Sequence, residues 1–143
     1  QMVGIDRWGK EYASFSLPLC ERNAKAEGVG NVSFMRGNAV ELAFPDGTFD
    51  AVTSNYVYHN IKGKDKQQLL SETLRVLKKG GTFAIHDIMS PREYGDMPAF
   101  VKKLKDSGYE TAALIDTADG LFLSAKESGR YMLKHSVLLV GKK

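Results

Sequence analysis

Residues 37–61, GNAVELAFPDGTFDAVTSNYVYHNI, decide the fold. Pro45-Asp46-Gly47 is a turn signal, with proline presetting φ and glycine tolerating positive φ. The run it opens, Phe49-Asp50-Ala51-Val52-Thr53, is short and rich in β-formers. A run of that kind between turn signals reads as a strand buried on both faces. Just past it come Ser54, Asn55, Tyr56, Tyr58, His59 and Asn60. Polar and aromatic groups at a strand's carboxyl end mark the edge where open α/β sheets hold ligands. Upstream, Val32–Arg36 predicts another strand, with Asn38 just beyond it. Two strands thus deliver polar side chains to one rim.

Outward from this centre the chain alternates strand and helix. Met2–Asp6 is an apolar strand ending in an acid, and Trp8, Tyr12 and Phe15 share one helical face. Ser16 and Pro18 interrupt that helix; a second piece carries Leu17, Cys20 and Ala24 as far as Gly28-Val29-Gly30. Asp65 with Gln68 resembles a capping box, Leu70, Leu74 and Leu77 form a face, and Lys78 and Lys79 suit the negative helix end before Gly80-Gly81. Thr82–Ile88 predicts a strand. A helix follows from Asp96 to Gly108, and a strand over Tyr109–Ile115. Ser124 with Glu127 caps a short helix to about Leu133, and Ser136–Gly141 is the last strand. This alternation predicts an α/β class with a mostly parallel sheet and helices on both faces.

Length and composition set bounds. The 143 residues are 43% hydrophobic, enough for one domain with a real core. A net charge of +3 with interspersed signs gives no basic block, so no nucleic-acid partner is expected. The lone Cys20 forms no internal disulfide and fits a cytoplasmic setting. No membrane span or signal peptide is visible. His59, His86 and Cys20 lack the spacing of a zinc site, and no metal is expected. The chain opens Gln1-Met2-Val3 inside a strand, which reads as the C-terminal part of a longer protein. Any membrane association would then come from upstream sequence.

Four motifs carry a family resemblance. They are Gly4-Ile5-Asp6, Gly37-Asn38-Ala39, Leu42-Ala43-Phe44-Pro45-Asp46-Gly47-Thr48-Phe49-Asp50, and Leu77-Lys78-Lys79-Gly80-Gly81. Together, over residues 2–88, they resemble a class I S-adenosylmethionine-dependent methyltransferase of the small-molecule, type 11-like group that includes quinone-biosynthesis enzymes. Two departures stand out: Asn38 replaces an aspartate, and the first strand with its glycine-rich loop is missing. The resemblance implies a doubly wound, Rossmann-like, mostly parallel sheet with an antiparallel last strand, N-terminally truncated. It implies a single methyltransferase domain over 1–143, S-adenosylmethionine as cofactor and an unidentified small-molecule acceptor. Acceptor choice would lie in Tyr94–Gly108 and Ala118–Tyr131.

Site residues follow. Asp6 either accepts hydrogen bonds from ribose hydroxyls or caps the following helix. Arg7 and Trp8 come next in the chain, with Trp8 a candidate for stacking on adenine or for the helix core. Asn38 and Ala39 address the adenine edge, unless Asn38 only makes a turn. Asn55 and Tyr56 line the methionine end of the cofactor. His59 is the candidate catalytic base, weighed against a structural role; His86 and Asp87 are weaker candidates, and His135 has no suggestive neighbours. Alternatives from other classes are a nicotinamide-dependent oxidoreductase and a non-catalytic binding or assembly module. The missing strand predicts self-association through the gap or closure by repacking. It also predicts weak or absent cofactor binding by this piece, which would be inactive alone.

Overall fold

A computed structural model describes residues 1–9, 14–120 and 122–143. The helical face expected at Trp8, Tyr12 and Phe15 includes Tyr12, which lies outside the described residues. The chain divides into two compact units, Gln1–Ala43 and Phe44–Lys143.

In the first unit β1 (Met2–Asp6) pairs in parallel with β2 (Val32–Arg36), with Asp6 opposite Arg36. Between them α1 (Leu17–Ala26) starts where Ser16 and Pro18 dictate. The Ser16 side chain caps the helix by accepting from the Leu19 amide, and Pro18 occupies the first turn. A proline there needs no amide partner. The residues expected to interrupt a helix thus begin one.

The second unit holds β3 (Phe49–Asn55), α2 (Lys66–Arg75), β4 (Leu77–Ile88), α3 (Pro91–Tyr94), α4 (Met97–Asp106), β5 (Thr111–Asp116), α5 (Ala125–Arg130) and β6 (Ser136–Lys142). Its sheet runs in the order β3-β4-β6-β5. β3 and β4 are parallel, whereas β6 runs antiparallel to both β4 and β5. The expected α/β class, mostly parallel strands and reversed last strand are all present. Along β4 the inward positions are Phe83, Ile85 and Asp87, and Leu70 and Leu74 of α2 and Leu139 of β6 complete much of the core.

The glycine pair ahead of β4 has a packing reason. Between Phe49–Leu77 and Ala51–Thr82 the β3–β4 register shifts, and Lys78–Gly81 bulges out. A Cβ on Gly81 would lie 2.7 Å from Leu77 and 2.8 Å from the Asp50 carbonyl. The expected role of Lys78 and Lys79 at the helix end is not what forms. Lys78 Nζ instead donates to Asp50 at 2.7 Å. The carbonyls of Leu74, in the last turn of α2, and of Leu77, at the start of β4, accept from Lys143 Nζ at 2.7 and 2.9 Å. Lys143 reaches them because the end of β6 lies beside Gly80 and Gly81.

Candidate functional site

The first unit places Asp6 and Asn38 at the same end of its sheet. The Gly37 amide donates to the Asp6 carbonyl at 3.0 Å, so the chain leaving β2 passes the carboxyl end of β1. The Asp6 side chain accepts from the Trp8 amide at 2.7 Å. Trp8 has a left-handed φ of 43°, so the chain turns sharply there and no helix begins at Asp6. Asp6 is exposed, and a carboxylate has acceptor capacity beyond one bond. Asn38 Oδ1 accepts from the Val40 amide at 3.0 Å, a local turn that leaves its amide hydrogens out of that bond. Ala39 is half-buried inside the turn, and Arg7 is exposed. A pocket of about 430 Å³ is lined by Trp8, Phe15, Leu17, Pro18 and Arg36, and Asp6, Asn38 and Ala39 are outside its lining. An exposed carboxylate and a side-chain amide at the same end of the sheet have the hydrogen-bonding groups a nucleoside needs.

The second unit builds its own rim. β3 ends at Asn55, and Tyr56 takes a left-handed φ of 51°, which costs a non-glycine residue about 1–2 kcal/mol. That turn folds the side chain back over the sheet. The Tyr56 ring lies 4.7 Å from that of His86, and its hydroxyl is 2.9 Å from Ser136 Oγ. His86 sits between Asn55 Oδ1 (3.0 Å) and Thr117 Oγ1 (2.8 Å). Tyr56, placed by expectation against a cofactor, is thus also a strut of this network.

At its centre is Asp87, fully buried. Its carboxylate accepts from the Tyr58 amide at 2.7 Å, the Ile88 amide at 2.7 Å and His59 Nδ1 at 2.6 Å. A carboxylate only accepts, so Nδ1 carries the proton and the neutral ring keeps its lone pair on Nε2. The His59 side chain is 25% exposed, which opens the ring to the rim. The Tyr58 hydroxyl is 2.6 Å from Thr73 Oγ1, and burial raises its pKa. Tyr94 is buried beside them without a hydrogen bond of ordinary geometry. Burial first, and the negative Asp87 second, push its hydroxyl up as well. Both phenols therefore stay protonated.

Sequence reasoning placed His59 and gave Asp87 only a weak role. The signal for Asp87 was present: it occupies an inward position of an alternating buried strand, where a carboxylate needs partners. Thr117 and Ser136 had no such signal, since their partners lie 31 and 80 residues away. Among the described residues, no group of three or more His, Cys, Asp or Glu could hold a metal, and no helix is long and apolar enough to cross a membrane.

Residues 1–85 match a family described as "Methyltransferase domain". The demethylmenaquinone methyltransferase of Geobacillus kaustophilus is 33% identical over 122 residues, covering 78% of this chain and 51% of that protein. The demethylmenaquinone methyltransferase of Listeria welshimeri is 37% identical over 83 residues, covering 58% and 34%. The chain thus spans about half or less of the length of these curated relatives. A putative methyltransferase structure from Bacillus halodurans matches with a TM-score of 0.64 at 17% identity, covering 100% of this chain and 83% of that one; that likeness concerns the fold. With the four sequence motifs and the observed sheet order, the match over residues 1–85 settles the family: the chain belongs to the methyltransferase domain family.

Proposed function

We propose that this chain is part of an S-adenosylmethionine-dependent methyltransferase acting on a small acceptor of the demethylated quinone type, both units belonging to one catalytic domain. The observation that carries the chemistry is the buried Asp87 holding His59 Nδ1 at 2.6 Å. The acceptor class is suggested by the curated relatives, named demethylmenaquinone methyltransferases. The lone Cys20 supports a cytoplasmic setting.

The cofactor, when bound, supplies a methyl group already activated on a sulfonium. The Asp6 carboxylate would accept from ribose hydroxyls, Asn38 and Ala39 would meet the adenine edge, and Trp8, next to Arg7, would pack on its face. A demethylated quinol that gains a methyl on a ring carbon sheds one proton net: the hydrogen on that carbon moves to the ring oxygen as aromaticity is restored, and the proton given up is the one that the ring hydroxyl loses as the carbon attacks. His59 Nε2 takes that proton, and the resulting imidazolium is stabilised by Asp87, as in other carboxylate–histidine pairs. Alignment and exclusion of water supply the rest of the rate, up to ~7–11 kcal/mol for well-oriented reactants.

The test is calorimetric titration of the intact gene product with S-adenosylhomocysteine. Asp6→Ala should weaken binding roughly tenfold or more, the worth of a charged hydrogen bond of about 1.5–3 kcal/mol. Unchanged affinity would leave Asp6 only its turn-forming bond to Trp8.

A further inference from the structure

The second unit exposes large apolar side chains that its own fold does not use. Phe122 is 69% exposed, Tyr131 57% and Met132 82%. All three lie in the connection that leaves the sheet after β5 and returns at Ser136, the start of β6. Ser136 pairs with Ile88, next to Asp87, so the connection returns to the rim that carries His59.

Met132 is the telling residue. α5 ends in a Schellman arrangement: the Leu133 amide donates to the Ser128 carbonyl at 2.8 Å and the Met132 amide to the Gly129 carbonyl at 3.4 Å. Met132 fills the left-handed position of that motif, φ 57°, where glycine is the usual residue. The chain therefore keeps a methionine where its backbone is strained and where its side chain gains almost nothing from the fold. An external apolar contact gives that residue a use.

Charge states what the contact is. Over the whole connection, residues 117–135, three cations, Lys126, Arg130 and Lys134, face two carboxylates, Asp119 and Glu127, and all three cations lie in the Phe122–His135 part, where Glu127 is the one carboxylate. Glu127 is engaged locally, accepting from Ser124 N at 2.9 Å and Ser124 Oγ at 2.6 Å. Lys126 and Arg130 stand four residues apart on one face of α5, turned away from buried Ser128. Arg130 lies 5.8 Å over the Tyr131 ring, joining the charged and apolar parts. Aromatic and aliphatic tips beside Lys and Arg make the composition of an element that settles into the headgroup layer of an anionic bilayer. We propose that Phe122, Tyr131 and Met132, with Lys126, Arg130 and Lys134, form a peripheral docking surface for anionic membrane lipid. Phe122, Lys126, Arg130 and Tyr131 lie in the Ala118–Tyr131 segment expected to govern acceptor choice, so the test reads vesicle capture and not methyl transfer.

The probe is flotation of the 143-residue chain with vesicles of phosphatidylglycerol and phosphatidylcholine, against phosphatidylcholine alone. Capture by the anionic vesicles only, weakening with salt, is the expected result. Lys126→Glu with Arg130→Glu should reduce capture at least tenfold, given roughly fivefold per cation. Met132→Gly should reduce capture several-fold while leaving the melting temperature equal or higher, which separates docking from folding. Equal capture by neutral vesicles, no capture, or variants that float like the parent would overturn the proposal. So would variants that change only the particle mass in light scattering, because the face would then join copies of the chain.

Discussion

Asp87→Asn removes a charge and keeps the shape, and the structure allows its consequences to be worked out. Three N–H groups point at the Asp87 carboxylate, from Tyr58, His59 and Ile88, at 2.6–2.7 Å. An asparagine has only one acceptor oxygen. If that oxygen faces Tyr58, the new amide group confronts the Ile88 amide and turns His59 into an acceptor at Nδ1. If it faces His59 and Ile88, the amide hydrogens confront the Tyr58 N–H. Either arrangement loses at least one charged hydrogen bond of about 1.5–3 kcal/mol and leaves a buried donor unmatched. Relief from burying a charge offsets part of this. The expected loss is about 2–4 kcal/mol of stability, measured by urea unfolding with an unchanged slope. In the first arrangement the His59 proton moves to Nε2, and nitrogen-15 NMR of the ring reads that tautomer directly. With Nε2 protonated, methyl transfer by the intact gene product should fall by roughly 10²–10⁴, the range of general-base catalysis. A variant as stable as the parent, with the His59 tautomer unchanged and full turnover, would refute the reasoning.

Lys143→Met should cost about 1–3 kcal/mol in urea unfolding, because the carbonyls of Leu74 and Leu77 lose their cationic donor. Lys78→Met should leave the urea-unfolding midpoint essentially unchanged, since its partner Asp50 is 87% exposed and water screens the pair. Glu127 is held below its ordinary carboxyl value by hydrogen bonds from Ser124. Its contribution is therefore full above the unfolded pKa and lost as pH falls through the lower folded one, so the melting-temperature gap between parent and Glu127→Ala should close as pH falls below the ordinary glutamate value of about 4.3. Among the described residues β1 pairs with β2 alone, and β3 is at the end of its own sheet. We expect light scattering of this chain to report particles heavier than one copy, since unpaired apolar edges recruit partners; a monomer at all concentrations would count against it.

Much of the fold was legible locally. Pro45-Asp46-Gly47 announced β3, and the run Thr82–Ile88 after Gly80-Gly81 announced the greater part of β4, because short runs bounded by turn residues suit buried strands. The caps at Asp65, Asp96 and Ser124 formed where side chains three residues from an amide predict them. The reversal of β6 was not written in Ser136–Gly141 itself. An apolar strand reads alike in either direction, and the family resemblance supplied it. The lysine at the end of α2 was also illegible. Lys143 lies 66–69 residues from the carbonyls it meets, and only tertiary pairing of β6 brings it there. At the rim, His59 was visible as a residue type in a suggestive place. Its partner Asp87, 28 residues on, is recognisable only once β4's inward face is known.

The most direct test of the central claim follows transfer of a labelled methyl group from S-adenosylmethionine to demethylmenaquinol by the intact gene product and its His59→Gln variant. Binding of S-adenosylhomocysteine is measured on both by calorimetry. The account predicts transfer by the parent, and a loss of roughly 10²–10⁴ in the variant with cofactor affinity unchanged within about twofold. Full transfer by His59→Gln would contradict it.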